Sequence, residues 1–239
     1  MIKTIFFDLD GTLLNMDLDL FIKLYISEIA KYLTSKKIEY AEAISKAILN
    51  SSLKMVTNDG KVTNEELFWN EFEKSTNIKR NNIEPIMVEF YEKYFIGVSP
   101  SISENINMVE AINILYKKGY KLYLTTNPLF PLVATLARMS WANVDHNKFE
   151  YITSFTDCHY SKPNPLFFEE IITKFDINRD EVLVVGNDAI EDLCCKKVGL
   201  LNTYLITDNL LHPEEKEEAK YISSSKEFLE FVSNFPEIN

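Results

Sequence analysis

Cysteine and long hydrophobic runs are scarce in this sequence. Its 239 residues include only three cysteines, Cys158, Cys194 and Cys195, and their spacing resembles neither a zinc site nor a disulfide framework. No segment has about 20 consecutive apolar residues, and the apolar stretch at the N-terminus is interrupted by Asp8 and Asp10. We therefore expect buried, reduced cysteines, no membrane-spanning helix and a cytoplasmic location.

Positive charge is also in short supply. The chain carries 25 lysines and arginines against 36 aspartates and glutamates, which gives a formal net charge of -11. This balance argues against a nucleic-acid partner, because nucleic-acid binding depends on a basic surface. It also repels an anionic substrate at long range. A phosphorylated substrate would therefore require a local positive charge, which a bound cation could supply.

The order of apolar patterns predicts an α/β fold with an inserted helical segment. The strand-like segment KTIFF opens the chain, and after Pro100 strand-like segments alternate with helical patterns. This order indicates a Rossmann-like parallel sheet with helices on both faces. Residues 17–97 instead show helical spacing of apolar side chains and no convincing strand. We therefore predict an α/β core domain of residues 1–16 and 98–239, with an all-helical domain of residues 17–97 inserted after the first strand.

Helical periodicity also places individual elements. Four helices are expected in the insert, near residues 17–33, 40–54, 64–75 and 82–95. A small core of its own is expected to contain Phe68, Trp69 and Phe72. A further helix is expected from about residue 189 to 198, after the strand EVLVVG. The polar turn at 57–61 is one candidate for setting substrate specificity, and an ordinary exposed turn is the alternative.

Two carboxylates end the first strand. In FFDLDGT, Asp8 and Asp10 are two positions apart, so both can project to the same side. Gly11 permits a sharp turn, and the hydroxyl of Thr12 can brace it. Carboxylates this close repel each other unless a cation lies between them. Magnesium, which takes one or two carboxylates with waters and phosphate, fits such a pair, although an acidic turn without function is the alternative.

Two later segments offer groups that could hold a phosphate. Thr125 and Thr126 end the strand in LYLTTNP with Asn127 beside them, and a hydroxyl, its N–H and an amide could bind phosphate oxygens. Lys162 lies in SKPNP, where two prolines stiffen the loop. Its ammonium could offset charge on a transferring phosphoryl group. Taken singly, both segments are also common strand-to-turn and loop sequences.

A second acidic pair follows the strand in VLVVGNDAIEDL. Asp188 is placed to begin a helix, where an aspartate is a favourable N-cap, and Asp192 would lie four residues later on the same helix face. The two acids could hold a metal ion or orient Lys162. The capping role would explain Asp188 but gives no reason for Asp192.

In combination and in this order, the segments FFDLDGT, LTTN, SKPNP and VGNDAIED resemble the four motifs of the haloacid dehalogenase (HAD) superfamily of hydrolases. The resemblance extends from Ile2 to about Leu205. It implies that the helical insert is a cap domain of the C1 type. The segment between Thr126 and Lys162 is too short for the larger cap that other members carry there.

The resemblance implies a role for each motif residue. Asp8 would be the nucleophile that takes the phosphoryl group as an aspartyl phosphate. Asp10 would protonate the leaving alcohol and then deprotonate the attacking water. Thr126, Asn127 and Lys162 would bind the phosphoryl group. The choice of Thr126 over Thr125 depends on the alignment of the motif.

The resemblance also implies a magnesium ion, held by the carboxylates of Asp8 and Asp188 and by the backbone carbonyl of Asp10. Asp192 and Thr12 would support these ligands from behind, with Asp192 steadying Lys162 or the metal-bound waters. One position departs from the family pattern, because Asn187 intervenes between the glycine and the first acid of the fourth motif. Asp192 could therefore take over ligation from Asp188.

Among the activities of the superfamily, Asp10 favours the hydrolysis of phosphate esters, because an alkoxide needs a proton on leaving and a halide does not. The predicted function is a magnesium-dependent phosphomonoester hydrolase that acts on a small phosphorylated metabolite, with neither nucleic acid nor membrane as partner. The alternatives are a sugar-phosphate mutase and a non-catalytic binding protein on the same scaffold. The sequence leaves the oligomeric state open.

Overall fold

The computed structural model describes residues 1–238, so that Asn239, the last residue of the predicted core domain, lies outside the described residues. Eight strands are found in them: β1 (Thr4–Phe7), β2 (Leu14–Met16), β3 (Ile102–Glu104), β4 (Lys121–Leu124), β5 (Phe149–Ile152), β6 (Val182–Gly186), β7 (Asn202–Ile206) and β8 (Tyr221–Ser223). The α-helices are α1 (Leu18–Ser35), α2 (Ala41–Lys54), α3 (Asn64–Thr76), α4 (Arg80–Lys93), α5 (Ile106–Lys117), α6 (Leu132–Trp141), α7 (Leu166–Phe175) and α8 (Ser225–Ser233).

A six-stranded sheet forms the centre of the fold, in the order β5-β4-β1-β6-β7-β8, and all its neighbouring strands are parallel. Strand β1 is buried along its whole length, as its run of apolar residues predicts for a strand that is covered on both faces. Ile5 and Phe7 pack with α5 and α8 on one face, whereas Phe6 packs with α7 on the other. The predicted Rossmann-like α/β fold is thus confirmed.

The insert contains the four expected helices, α1 to α4. Phe68, Trp69 and Phe72 are buried as predicted. The insert has a hydrophobic cluster of its own, as expected, but this cluster also takes in Val98, Ala134 of α6 and Phe155, which lie outside residues 17–97. Through Phe68, whose ring centre lies 6.1 Å from that of Phe155, helix α3 also contacts the sheet domain, by which we mean residues 1–16 and 98–238. None of the helices within residues 1–238 is both long and apolar enough to cross a membrane.

The N-terminus of α3 joins the insert to the sheet domain by hydrogen bonds. The backbone N–H of Asn64 donates to the carbonyl of Cys158, and that of Glu65 donates to the carbonyl of Phe155, both at 2.8 Å. These N–H groups lie in the first turn of a helix, where no partner within the helix is available to them. The sheet domain therefore satisfies donors that the insert cannot satisfy by itself.

The expected helix over 189–198 is the main departure from the predicted elements. The chain makes turns after Asp188 and then a 3-10 helix over Leu193–Val198. The side chain of Asp188 accepts hydrogen bonds from the N–H groups of Ile190 and Glu191, at 2.8 and 3.0 Å. Side-chain acceptors of this kind compete with the regular helical pattern. The segment is thus shaped by Asp188, one of the two acids of the fourth motif.

Candidate active site

The carboxyl ends of β1, β4 and β6 meet at one edge of the sheet, where ligands bind in such folds. A cavity of about 480 Å³ opens there. Its lining includes the following residues selected from the sequence: Asp8, Asp10, Thr126, Asn127, Lys162, Asp188 and Asp192. Thr12 lies directly behind it and is fully buried. The structure therefore brings together side chains that are widely separated in the sequence.

Lys162 occupies the centre of this arrangement. Its Nζ donates to Asp8 Oδ1 at 2.8 Å and to Asp192 Oδ1 at 2.7 Å, and the side chain is only 1% exposed. Burial opposes the charged form, but the carboxylates of Asp192 and Asp8 outweigh it and raise the pKa of Lys162 well above its ordinary value. A fixed ammonium group therefore stands beside the proposed nucleophile.

Asp8 is held from two sides. Lys162 occupies Oδ1, and the Thr12 hydroxyl lies 3.2 Å from Oδ2 and 2.8 Å from Asn187 Oδ1, so its single proton serves one of these acceptors at a time. The turn that follows needs a glycine, because Gly11 has a φ of +86° and a Cβ there would lie 2.4 Å from Asn187 Nδ2. The DGT sequence thus sets the position of Asp8.

Asp188 and Asp192 differ in how many of their oxygens remain available. Asp192 uses Oδ1 for Lys162 and Oδ2 for the N–H groups of Asn187 and Asp188, at 3.0 and 2.9 Å. Asp188 Oδ1 accepts from two backbone N–H groups and pairs with the His212 ring at 2.8 Å. Its Oδ2 has no hydrogen-bond partner within residues 1–238. This difference favours Asp188 as a metal ligand and Asp192 as a positioning residue.

Thr126 and Thr125 also differ. The Thr125 hydroxyl donates back to the carbonyl of Phe7 at 3.3 Å, whereas Thr126 belongs to the cavity lining. The side chain of Asn127 is already engaged, since its Oδ1 accepts from the N–H of Lys162 at 3.0 Å and its Nδ2 donates to Glu191 at 2.9 Å. These contacts favour Thr126 for a phosphate and give Asn127 the task of holding the Lys162 backbone.

Arg138 is the main site residue that was not predicted from the sequence. It lies on α6, is 2% exposed, and donates a hydrogen bond from Nη1 to Asp10 Oδ2. Its guanidinium also lies 4.9 Å from the ring centre of Phe130 and 6.0 Å from that of Phe21. No motif marks Arg138. The available signal was its place four residues after Ala134, on the apolar face of an amphipathic helix.

Asp10 has an environment unlike that of Asp8. Burial raises the pKa of Asp10 above its ordinary value, even though the neighbouring charge of Arg138 acts in the opposite direction. Its Oδ1 is buried and has no hydrogen-bond partner within the described chain. A carboxyl group that belongs to the cavity lining and has a raised pKa is suited to hold and transfer a proton.

The cavity contains an excess of negative charge. Its lining has two permanently cationic side chains, Arg138 and Lys162, against five carboxyl groups: Asp8, Asp10, Asp188, Glu191 and Asp192. Burial raises the pKa of Asp192 to about 6 and that of Glu191 to about 7, which is the expected response of crowded acids. A dianionic phosphate could enter only if this charge were offset.

These donors fit magnesium in number and type. No group of three or more His, Cys, Asp or Glu side chains converges as a metal cluster within residues 1–238. Magnesium needs fewer protein ligands, since it takes one or two carboxylates and completes its octahedron with waters and substrate phosphate. Asp8 and Asp188, with the backbone carbonyl of Asp10, provide oxygen ligands only, as this hard cation prefers.

Comparisons with known proteins agree with this architecture. A family model described as haloacid dehalogenase-like hydrolase matches residues 2–193. A search of curated proteins found no match. Among solved structures, a HAD phosphatase from Thermococcus onnurineus is 18% identical with a TM-score of 0.62, covering 99% of this chain and 100% of its own.

Two further solved structures have other named activities. A protein assigned as a β-phosphoglucomutase from Thermotoga maritima is 19% identical with a TM-score of 0.58, covering 97% of this chain and 99% of its own. The L-2-haloacid dehalogenase from Xanthobacter autotrophicus is 12% identical with a TM-score of 0.55, covering 98% and 100%. At such identities the likeness establishes the fold and leaves the substrate open.

Proposed function

Because the chain belongs to the haloacid dehalogenase-like hydrolase family, we propose that this hydrolase is a magnesium-dependent phosphomonoesterase with Asp8 as its nucleophile. The observation that carries the proposal is the pairing of Asp8 and Asp10 in one cavity, with Lys162 hydrogen-bonded to Asp8. Asp10 provides the proton that an ester oxygen requires on leaving. Residues 1–16 and 98–239 would form the core domain, and residues 17–97 the cap.

In the first half-reaction, Lys162 and Thr126 hold the phosphoryl oxygens. A carboxylate oxygen of Asp8 attacks phosphorus, the new bond to the aspartate forms, and the bond to the ester oxygen breaks. The departing alkoxide takes the proton of Asp10 and leaves as an alcohol. The raised pKa of Asp10 supports this step, because it increases the fraction of the protonated acid.

In the second half-reaction, the carboxylate of Asp10 accepts a proton from a water molecule, which attacks the phosphorus of the aspartyl phosphate. The bond to Asp8 breaks, and inorganic phosphate is released. Magnesium, held by Asp8, Asp188 and the carbonyl of Asp10, would supply positive charge to offset that of the phosphoryl group and the surrounding acids. Asp192 keeps Lys162 directed at Asp8 throughout.

The test is the release of phosphate from 4-nitrophenyl phosphate in the presence of magnesium. We expect Asp8→Asn to lower kcat/KM by at least about 10⁴-fold, because the amide cannot act as the nucleophile. The matched control is Asp180→Asn, an exposed aspartate, which should leave the rate unchanged. Acid quenching during turnover should yield a phosphorylated peptide that contains Asp8.

Substantial activity in Asp8→Asn would contradict the proposal. A mutase would instead interconvert sugar-phosphate isomers, require a bisphosphorylated activator and release little phosphate. A binding protein would release none from any ester. Product analysis with magnesium present therefore separates all three functions.

A further inference from the structure

Part of the cavity wall is made by the helical insert, and this part, here called the wall, is apolar. The insert residues that line it come from α1, the end of α2 and the short 3-10 turn after α2: Leu18, Phe21, Ile22, Leu53 and Val56. None of these side chains can donate or accept a hydrogen bond. The polar turn at 57–61, the earlier candidate for specificity, contributes no residue to the lining.

Two of these side chains are unusually exposed for their type. Leu18 is 54% exposed and Leu53 is 55% exposed, although both could release free energy by leaving water. They stand at the cavity, so a bound molecule would cover them. The sheet domain continues the same surface with Met16, Leu129 and Leu211. An apolar surface that is continuous with a catalytic centre is the typical form of a small-molecule site.

The part of the cavity formed by the strand ends, with Asp8, Asp10, Lys162 and Asp188, is here called the floor. The cations of the cavity are all paired with acids of this floor. Lys162 is paired with Asp8 and Asp192, and Arg138 is paired with Asp10. His212 contacts Asp188. Within the described chain, the insert adds no charged residue to the lining. A second phosphate or a row of sugar hydroxyls would therefore lie against hydrocarbon and lose its hydrogen bonds to water.

We propose that the leaving group of the substrate is apolar, an alkyl or aryl alcohol whose hydrocarbon part packs against Phe21, Ile22, Leu53 and Val56. This inference rests on the proposed phosphatase function, because the floor must hold the phosphoryl group. The volume of about 480 Å³ lies in the range of small-molecule sites. The same surface disfavours sugar phosphates and bisphosphates as substrates.

Matched esters test the inference. Cyclohexylmethyl phosphate and glucose 6-phosphate present the same kind of ring and linkage and differ chiefly in hydroxyl groups. We expect the first to have a kcat/KM about 100-fold higher, which is near the limit that an apolar pocket reaches against added hydroxyls. From ethyl to hexyl phosphate, each added methylene should raise kcat/KM up to about fourfold.

A variant pair locates the effect on the insert. Leu53→Asn should lower kcat/KM for hexyl phosphate about tenfold and that for ethyl phosphate by a clearly smaller factor, because the longer chain covers more of the wall. Leu201→Asn is the matched control, since Leu201 is 62% exposed and lies outside the cavity. It should alter neither value.

Equal or faster hydrolysis of glucose 6-phosphate, with ethyl phosphate also cleaved, would overturn the apolar leaving group while leaving the phosphatase function in place. The absence of phosphate release from every ester, including 4-nitrophenyl phosphate, would overturn both. A tenfold loss for ethyl phosphate in Leu53→Asn would assign Leu53 to the floor and would also contradict the inference.

Discussion

The cavity has a floor made by strand ends and a wall made by the inserted helices, and the two hold their side chains in different ways. On the floor, Lys162 is buried between Asp8 and Asp192, and each hydrogen bond fixes a neighbour. On the wall, side chains such as Leu18 and Leu53 are half exposed and carry no polar atoms. Chemistry requires charges at fixed positions. Recognition of an apolar group requires only surface that can be covered.

The two regions are nevertheless connected. Asn64, at the start of α3 and fully buried, donates from Nδ2 to Ser161 Oγ at 3.1 Å and to the carbonyl of Pro128 at 3.3 Å. Its Oδ1 accepts from Asn58 at 2.8 Å. Ser161 and Pro128 directly adjoin Lys162 and Asn127 on the floor. The insert therefore contacts the two loops that place the phosphate-binding groups.

The largest expected effect concerns the charge at the centre of the floor. Lys162→Met leaves Asp8 and Asp192 without their buried partner, so kcat/KM for 4-nitrophenyl phosphate should fall about 10³-fold or more. In the absence of magnesium, the free energy of unfolding should fall by about 3 kcal/mol. Urea denaturation and steady-state kinetics measure both, with the exposed Lys226→Met as control. A fully active and fully stable Lys162→Met protein would contradict the central role of Lys162 on the floor.

Arg138 lies where floor and wall meet, and its replacement tests whether it positions Asp10. We expect Arg138→Gln to lower kcat/KM for alkyl phosphates about 100-fold, because a poor leaving group needs a correctly placed acid. For 4-nitrophenyl phosphate the loss should be only a few-fold, since nitrophenolate leaves without a proton. The ratio of the two rates does not depend on how much enzyme is folded.

Asp10→Asn provides the reference for this comparison and should show the same preference for the better leaving group. Equal losses for both esters in Arg138→Gln would mean that the guanidinium serves packing against Phe21 and Phe130 alone. Arg138→Lys should restore little, because an ammonium lacks the planar geometry of the guanidinium.

A smaller effect is expected where the insert is fastened to the sheet domain. Asn64→Ala removes hydrogen bonds in a fully buried place and leaves Asn58 and Ser161 with fewer partners, so the free energy of unfolding should fall by about 2 kcal/mol. Asn70→Ala, on the exposed side of the same helix, should change it by less than about 0.5 kcal/mol. Urea denaturation compares the two variants. Equal values would show that this contact does not stabilise the fold.

The smallest effect concerns the close approach of Gly60 to the sheet domain. Gly60 has a φ of +82°, and a Cβ there would lie 2.2 Å from the hydroxyl oxygen of Tyr160. Gly199 has a similar φ of +84°, but its Cβ would meet only Arg179 Cδ, at 3.4 Å. In both positions alanine is destabilising, because a residue with a Cβ is strained at a positive φ. The loss of stability in Gly60→Ala should exceed that in Gly199→Ala by about 1 kcal/mol, because only the first displaces a neighbour. Thermal unfolding of both proteins measures the difference. Equal losses would indicate that Tyr160 or the turn at Gly60 can move aside without a cost in stability.

Much of the candidate site could be predicted because its signals are local. Asp8 and Asp10 follow an apolar strand at alternate positions, and the carboxyl ends of parallel strands meet at one edge. Arg138 could not be found in this way, since an amphipathic helix gives no indication of which distant acid its charged residue will meet. The engagement of Asn127 with the Lys162 backbone was equally hidden, because it joins two loops that are far apart in the chain.

The sequence by itself determined the α/β order of elements, the helical insert and the acids at the strand ends, because periodicity and turn chemistry act over a few neighbouring residues. Only the tertiary structure decided which charges pair, as Lys162 with Asp192 and Arg138 with Asp10. It also decided that the insert shares its hydrophobic core with the sheet domain and presents an apolar wall to the cavity. Such contacts join distant segments, and burial fixes them once the whole chain has packed.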